Sequence, residues 1–235
     1  MLVFQPDLDI TLPDLAENNE VIICLDCSAS MEGATFLEAK QIALYALSLV
    51  GKKQKINIVK FGTGYKELFS YPKYITSNNV PTEFIMSATP TMGNTDFWKT
   101  LRYLNLLYPS QGLRNILLIS DGHLQNESLT LQLVKRNVRH TRLFSCGIGS
   151  TANRHILRTL SQYGAGVFEY FNSKSKHSWK KQVRFSNILF LVLCLYVEII
   201  SSYKSIDSNF CVFVNRKGPY KKATGLKVLH PSVIV

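Results

Sequence analysis

Apolar positions alternate between two spacings along the first 171 residues. Val21–Leu25 (VIICL) is apolar without a break and runs into Asp26, the pattern of a strand buried on both faces. Leu37, Ala39, Ile42, Ala43, Ala46, Leu47 and Val50 then recur at helical spacing, predicting a helix over 36–50 closed by Gly51. Residues 56–61 predict a second strand. Residues 65–69 predict a short third one, turned back through Gly62–Gly64 to lie antiparallel.

A polar stretch rich in Pro, Ser and Thr follows. A helix is then predicted over 95–107, with Thr95 as its N-cap and Asp96 complementing its positive end. Residues 115–120 (NILLIS) repeat the first strand's pattern and also meet an acid, Asp121, followed by Gly122. A helix over 129–135, a strand over 142–147, a helix over 152–162 and a strand over 167–171 complete the alternation. The expectation is an α/β, Rossmann-like fold with a six-stranded, mostly parallel sheet and one antiparallel edge strand.

The pattern changes near Gln182. Residues 188–197 (ILFLVLCLYV) are uniformly apolar, with Glu198 before Ile199 and Ile200, and no alternation follows to the end of the 235-residue chain. Three parts are therefore expected: a linker over 1–19, one domain over 20–182, and an unrelated tail over 183–235. A truncated or alternatively spliced product would account for such a tail. The segment 188–200 is short for a bilayer span and carries a glutamate, so a membrane anchor is the weaker reading of it.

Charge adds less than its total of +11 suggests. Residues 183–235 carry seven basic and two acidic side chains, leaving 20 and 14 for the first 182. The densest basic patch, Lys52, Lys53 and Lys55, has no aromatic platform or reading motif beside it, so no nucleic-acid partner is expected. The N-terminus is acidic and lacks the basic start of a signal peptide, and the five cysteines form no disulfide framework. A cytosolic or nuclear setting is the expectation.

The chemistry gathers where strands end. In open parallel sheets, ligands bind at the carboxyl ends of strands, at the point where strand order reverses. Asp26 and Asp121 both end strands. D-C-S-A-S sets Asp26, Ser28 and Ser30 in one loop, and Thr95 opens a helix at the same edge. All five offer hard oxygen donors, which favours Mg²⁺, with Ca²⁺ or Mn²⁺ as alternatives, over zinc. Two acids do not over-neutralise a divalent cation, so it could still accept a carboxylate from outside.

Asp26-x-Ser28-x-Ser30, Thr95 two residues after Gly93, and Asp121-Gly122 after an apolar strand together resemble the metal-ion-dependent adhesion site of von Willebrand factor type A domains. The resemblance implies helices on both faces of the sheet. It implies Ser28 and Ser30 as direct metal ligands, Thr95 as a direct or water-mediated one, and Asp26 and Asp121 acting mainly through water. It also implies a protein partner that offers an exposed Asp or Glu. Over about 20–182 the likeness narrows to the type A domains of vault-associated poly(ADP-ribose) polymerases, which implies vault components as partners. No ADP-ribosyltransferase motif is present, so a non-enzymatic interaction module is expected.

Rival chemistries lack a partner residue. A haloacid-dehalogenase-like Mg²⁺ phosphohydrolase would use Asp26 as nucleophile but needs an acid two residues later, where Ser28 stands. Ser120 and His123 lack a G-x-S-x-G elbow, and Ser120 is expected to face the strand environment. Cys24-x-x-Cys27 has redox spacing, but Cys24 falls inside a buried strand, so packed thiols are expected there and at Cys146.

Overall fold

The computed structural model describes residues 19–171, apart from 51–53, 76, 78, 108 and 110–111. The linker before Asn19, Lys52 and Lys53, Gly51, and the tail with its apolar segment 188–200 lie outside the described residues.

Among the described residues, seven strands form one sheet: β1 (Glu20–Asp26), β2 (Lys55–Phe61), β3 (Tyr65–Glu67), β4 (Lys73–Tyr74), β5 (Arg114–Ser120), β6 (Thr141–Ile148) and β7 (Phe168–Phe171). The order is β3-β2-β1-β5-β6-β7, and the two-residue β4 also pairs with β2. β1, β2, β5, β6 and β7 run parallel, while β3 and β4 lie antiparallel to β2. The expected six-strand path and antiparallel edge are present. β4 is the addition, two exposed residues too short to leave a period in the sequence.

Five α-helices of the described residues cover the sheet: α1 (Ala34–Leu49), α2 (Asn79–Met86), α3 (Phe97–Leu106), α4 (Glu127–Asn137) and α5 (Arg154–Tyr163). α2 lies in the stretch expected to be irregular. It is only eight residues long and carries Pro81, buried, in its first turn, where a missing N–H costs nothing. The N-cap of α3 is Asp96 rather than Thr95. The Asp96 side chain accepts from the Lys99 N–H at 3.4 Å, so the cap sits one residue later than the hydroxyl suggested.

Two hydrophobic layers sandwich the sheet. One holds Phe36, Ala39 and Ile42 of α1 and Ile85 of α2 against Ile23 and Leu25 of β1. The other holds Phe97, Leu101 and Leu104 of α3, Val134 of α4, and Ile156 and Leu160 of α5 against Ile22 and Cys24 of β1. Every residue of β1 and of β5 is buried, which is why both read as unbroken apolar runs. Cys24 faces one layer and Cys27 the other, so their side chains point to opposite sides. Burial pushes the Cys27 and Cys146 thiols up to about 12, and Cys24 higher, so all three are packed, protonated thiols.

Candidate metal centre

After β1 the chain moves to β2 and β3 on one side, then returns to place β5 on the other side of β1. Strand order therefore reverses between β1 and β5, and the crevice opens at their carboxyl ends. Asp26 is the last residue of β1 and Asp121 the first after β5.

The Asp26 side chain is wholly buried and organised from two directions. Its Oδ1 accepts the Ser28 N–H at 2.9 Å, which folds the loop after β1 into a tight turn. Its Oδ2 accepts the Ser120 hydroxyl at 2.6 Å, across the β1–β5 seam. Ser120 Oγ in turn accepts the Gly122 N–H at 2.9 Å, which shapes the Asp121 loop. Ser120 thus joins the two acid-bearing loops. Its sequence signal is only its place before Asp121, where a serine is expected to face the strand environment.

Ser28 is buried and Ser30 exposed, with their hydroxyl oxygens 3.0 Å apart, so this pair runs from the crevice to solvent. Thr95 is buried and is held by backbone bonds. The Ala29 N–H donates to the Gly93 carbonyl at 2.9 Å, and the Gln125 N–H to the Thr95 carbonyl at 2.9 Å. Those bonds draw the Thr95 loop between the other two. Gly93, at φ +75°, makes the turn that allows it. Gly122, at φ +80°, is constrained by space as well, since a Cβ there would meet the Asn153 carbonyl oxygen at 2.7 Å.

Asp121 is buried, and its Oδ1 accepts the His123 N–H at 3.1 Å. Among the described residues neither Asp26 nor Asp121 has a basic ion-pair partner, the ion pairs there being Lys99–Asp96 and Arg114–Glu20. Burial pushes the Asp26 carboxyl up to about 6 against the pull of its hydrogen bonds from Ser120 and Ser28, and the charge of Asp121 adds to the rise. Two buried acids without a cation, ringed by hydroxyls, suit a small hard divalent ion. Among the described residues no group of three or more His, Cys, Asp or Glu comes together.

Acid–base chemistry finds little support in the same geometry. The position two residues after Asp26 is a serine whose oxygen faces Ser30. The Ser120 hydroxyl is committed to Asp26, and the His123 ring lies 3.2 Å from the Thr151 carbonyl.

Residues 19–170 match the von Willebrand factor type A domain family. The human protein mono-ADP-ribosyltransferase PARP4 is 81% identical over 183 residues, which are 78% of this chain and 11% of that protein. The chain therefore spans about a tenth of that relative's length. Among solved structures, the manganese-loaded TRAP protein of Plasmodium vivax superposes with a TM-score of 0.51 at 17% identity, covering 67% of this chain and 69% of that one. Proximal thread matrix protein 1 from the mussel byssus, with a zinc-occupied MIDAS motif, does so at 0.55 and 17%, covering 78% and 46%. Strand order, helix placement and this match agree: the chain belongs to the von Willebrand factor type A domain family.

Proposed function

We propose that this chain is a metal-dependent protein-interaction module. It would hold a divalent cation, Mg²⁺ first, with Ca²⁺ or Mn²⁺ as alternatives, through Ser28, Ser30, Thr95, Asp26 and Asp121. The single observation that carries this reading is the pair of buried acids, Asp26 and Asp121, that no basic side chain of the described residues neutralises. A divalent ion there supplies a Lewis-acidic point charge able to accept a carboxylate from a partner. The chain's own residues hold the donors in place: Ser120 fixes one Asp26 oxygen, and the Ser28 N–H fixes the other. Exposed Ser30 marks where the crevice opens to a partner. Manganese in one structural relative and zinc in another support a divalent site in this fold.

The partner is a protein with an exposed Asp or Glu, and components of the vault particle are the class that the sequence resemblance implies. The domain is assigned to 20–182 and to the cytosol or nucleus, acting by binding rather than by turnover. The test is a pull-down from cell lysate with the full chain, in Mg²⁺ and in EDTA, beside the double variant Asp26→Ala, Ser28→Ala. Captured proteins are expected to be lost in EDTA and with the variant, while the variant keeps its circular dichroism. Capture indifferent to EDTA overturns the reading.

A further inference from the structure

One side of the same edge carries an unusual concentration of positive charge. Lys60 of β2 stands beside Leu25 of β1 in register, so it projects toward α1 and α2 rather than to solvent. Only 8% of it is exposed. Its ammonium donates to the Ser87 hydroxyl at 3.1 Å and lies 3.9 Å from the centre of the Phe84 ring, a cation–π contact. Directly across the ladder, on the same face, stands Lys66 of β3. Like charges in opposed cross-strand positions repel. Lys40 of α1 completes the group, its ammonium donating to the Met86 carbonyl at 2.8 Å. Among the described residues none of the three forms an ion pair.

A buried lysine facing a second lysine, with a third close by, is costly for a fold that could have placed leucine there. Burial lowers the proton affinity of Lys60, and the charges of Lys66 and Lys40 add to the fall. Lys60 pairs with Leu25, the residue before Asp26, and the Cys27 N–H donates to the Phe61 carbonyl at 2.8 Å, so the lysine strand adjoins the Asp26 loop.

We propose that Lys40, Lys60 and Lys66 form an anion subsite beside the metal centre, which receives a second carboxylate of the same acidic partner segment. The inference rests on the metal-dependent reading for its first anchor and on charge complementarity for its second. One acid would meet the cation, and another, a few residues along, would meet the lysines. The partner is thereby narrowed from a protein with an exposed acid to a segment with two spaced acids.

Two synthetic peptides test this on the full chain in Mg²⁺, one with a single Asp among glycines and one with two Asp separated by two glycines. The two-acid peptide is expected to bind about tenfold tighter in an NMR titration, the gain of one charge-assisted contact. Lys60→Gln, and separately the exposed Lys66→Gln, are expected to bring that ratio close to one while leaving the single-acid affinity unchanged. A ratio unmoved by Lys66→Gln overturns the subsite even if Lys60→Gln fails to fold. In EDTA, inorganic phosphate is expected to perturb the lysine side-chain signals of Lys60 and Lys66 saturably. Absence of that response overturns the subsite whatever the metal result. Single-acid binding that survives EDTA overturns the metal reading alone.

Discussion

β1 and β5 are neighbours along their whole length, and their two ends treat charge in opposite ways. At the start of the pair, Glu20 and Arg114 are both buried and fully matched. Arg114 Nε and Nη2 donate to the same Glu20 carboxylate oxygen at 3.0 and 2.8 Å, and Nη1 donates to the Leu104 carbonyl at the end of α3. At the other end, Asp26 and Asp121 are as deeply buried, with hydrogen bonds but no cation from the described residues. Burial is the same and compensation is not. A closed pair belongs to the scaffold, whereas the open pair of acids is where the proposed cation would be received.

The contrast can be broken at either end. The largest effect is expected at the closed one. Arg114→Leu leaves Glu20 buried without a partner and strips the Leu104 carbonyl, and should cost about 3–5 kcal/mol in urea unfolding, with or without metal. At the open end, Mg²⁺ at about 100 times its Kd should raise stability by about 2.7 kcal/mol, and Asp26→Asn should abolish that gain. Parallel unfolding curves in EDTA and Mg²⁺ measure it. A wild-type curve that Mg²⁺ does not move would remove the distinction between the two ends.

Ser120→Ala sharpens the comparison further. It takes a donor from Asp26 and an acceptor from the Gly122 N–H, and should cost about 2 kcal/mol in EDTA and also weaken the Mg²⁺ response. The smallest effect is expected for Asp96→Ala, the loss of one helix cap. About 1 kcal/mol should disappear from thermal unfolding, with the Mg²⁺ response retained.

Local features of the fold were legible in the sequence; distant pairings were not. Asp26, Ser28 and Ser30 share one loop, and their spacing alone placed them together. Asp121 was legible because an unbroken apolar strand preceded it. Ser120 was not, because a serine at the end of a buried strand looks like any other until its neighbour across the seam is known. Glu20 and Arg114 were hidden for the same reason, being 94 positions apart. α2 escaped because eight residues with a proline give too few apolar repeats to stand out from a polar loop. The Thr95 N-cap was misplaced by one residue since Thr and Asp both cap well, and only the bond to the Lys99 N–H separates them. The lysine group was scattered over α1, β2 and β3, and no linear spacing connects those positions.

Glu20–Arg114 and Asp26–Ser120 are each separated by the same 94 residues. One chain excursion, from the end of β1 through α3, must therefore close before either contact exists. Its closure costs roughly 4 kcal/mol of chain entropy, counted once for both contacts because they sit on a single ladder. The candidate site is completed only with the least local pairing of the sheet, that of β1 with β5. A nascent chain that has emitted β1 through β3 holds the whole Asp26 loop and three of the five proposed donors, Asp26, Ser28 and Ser30. The proposed site would be complete only when β5 docks, so a partner would be met by a finished domain.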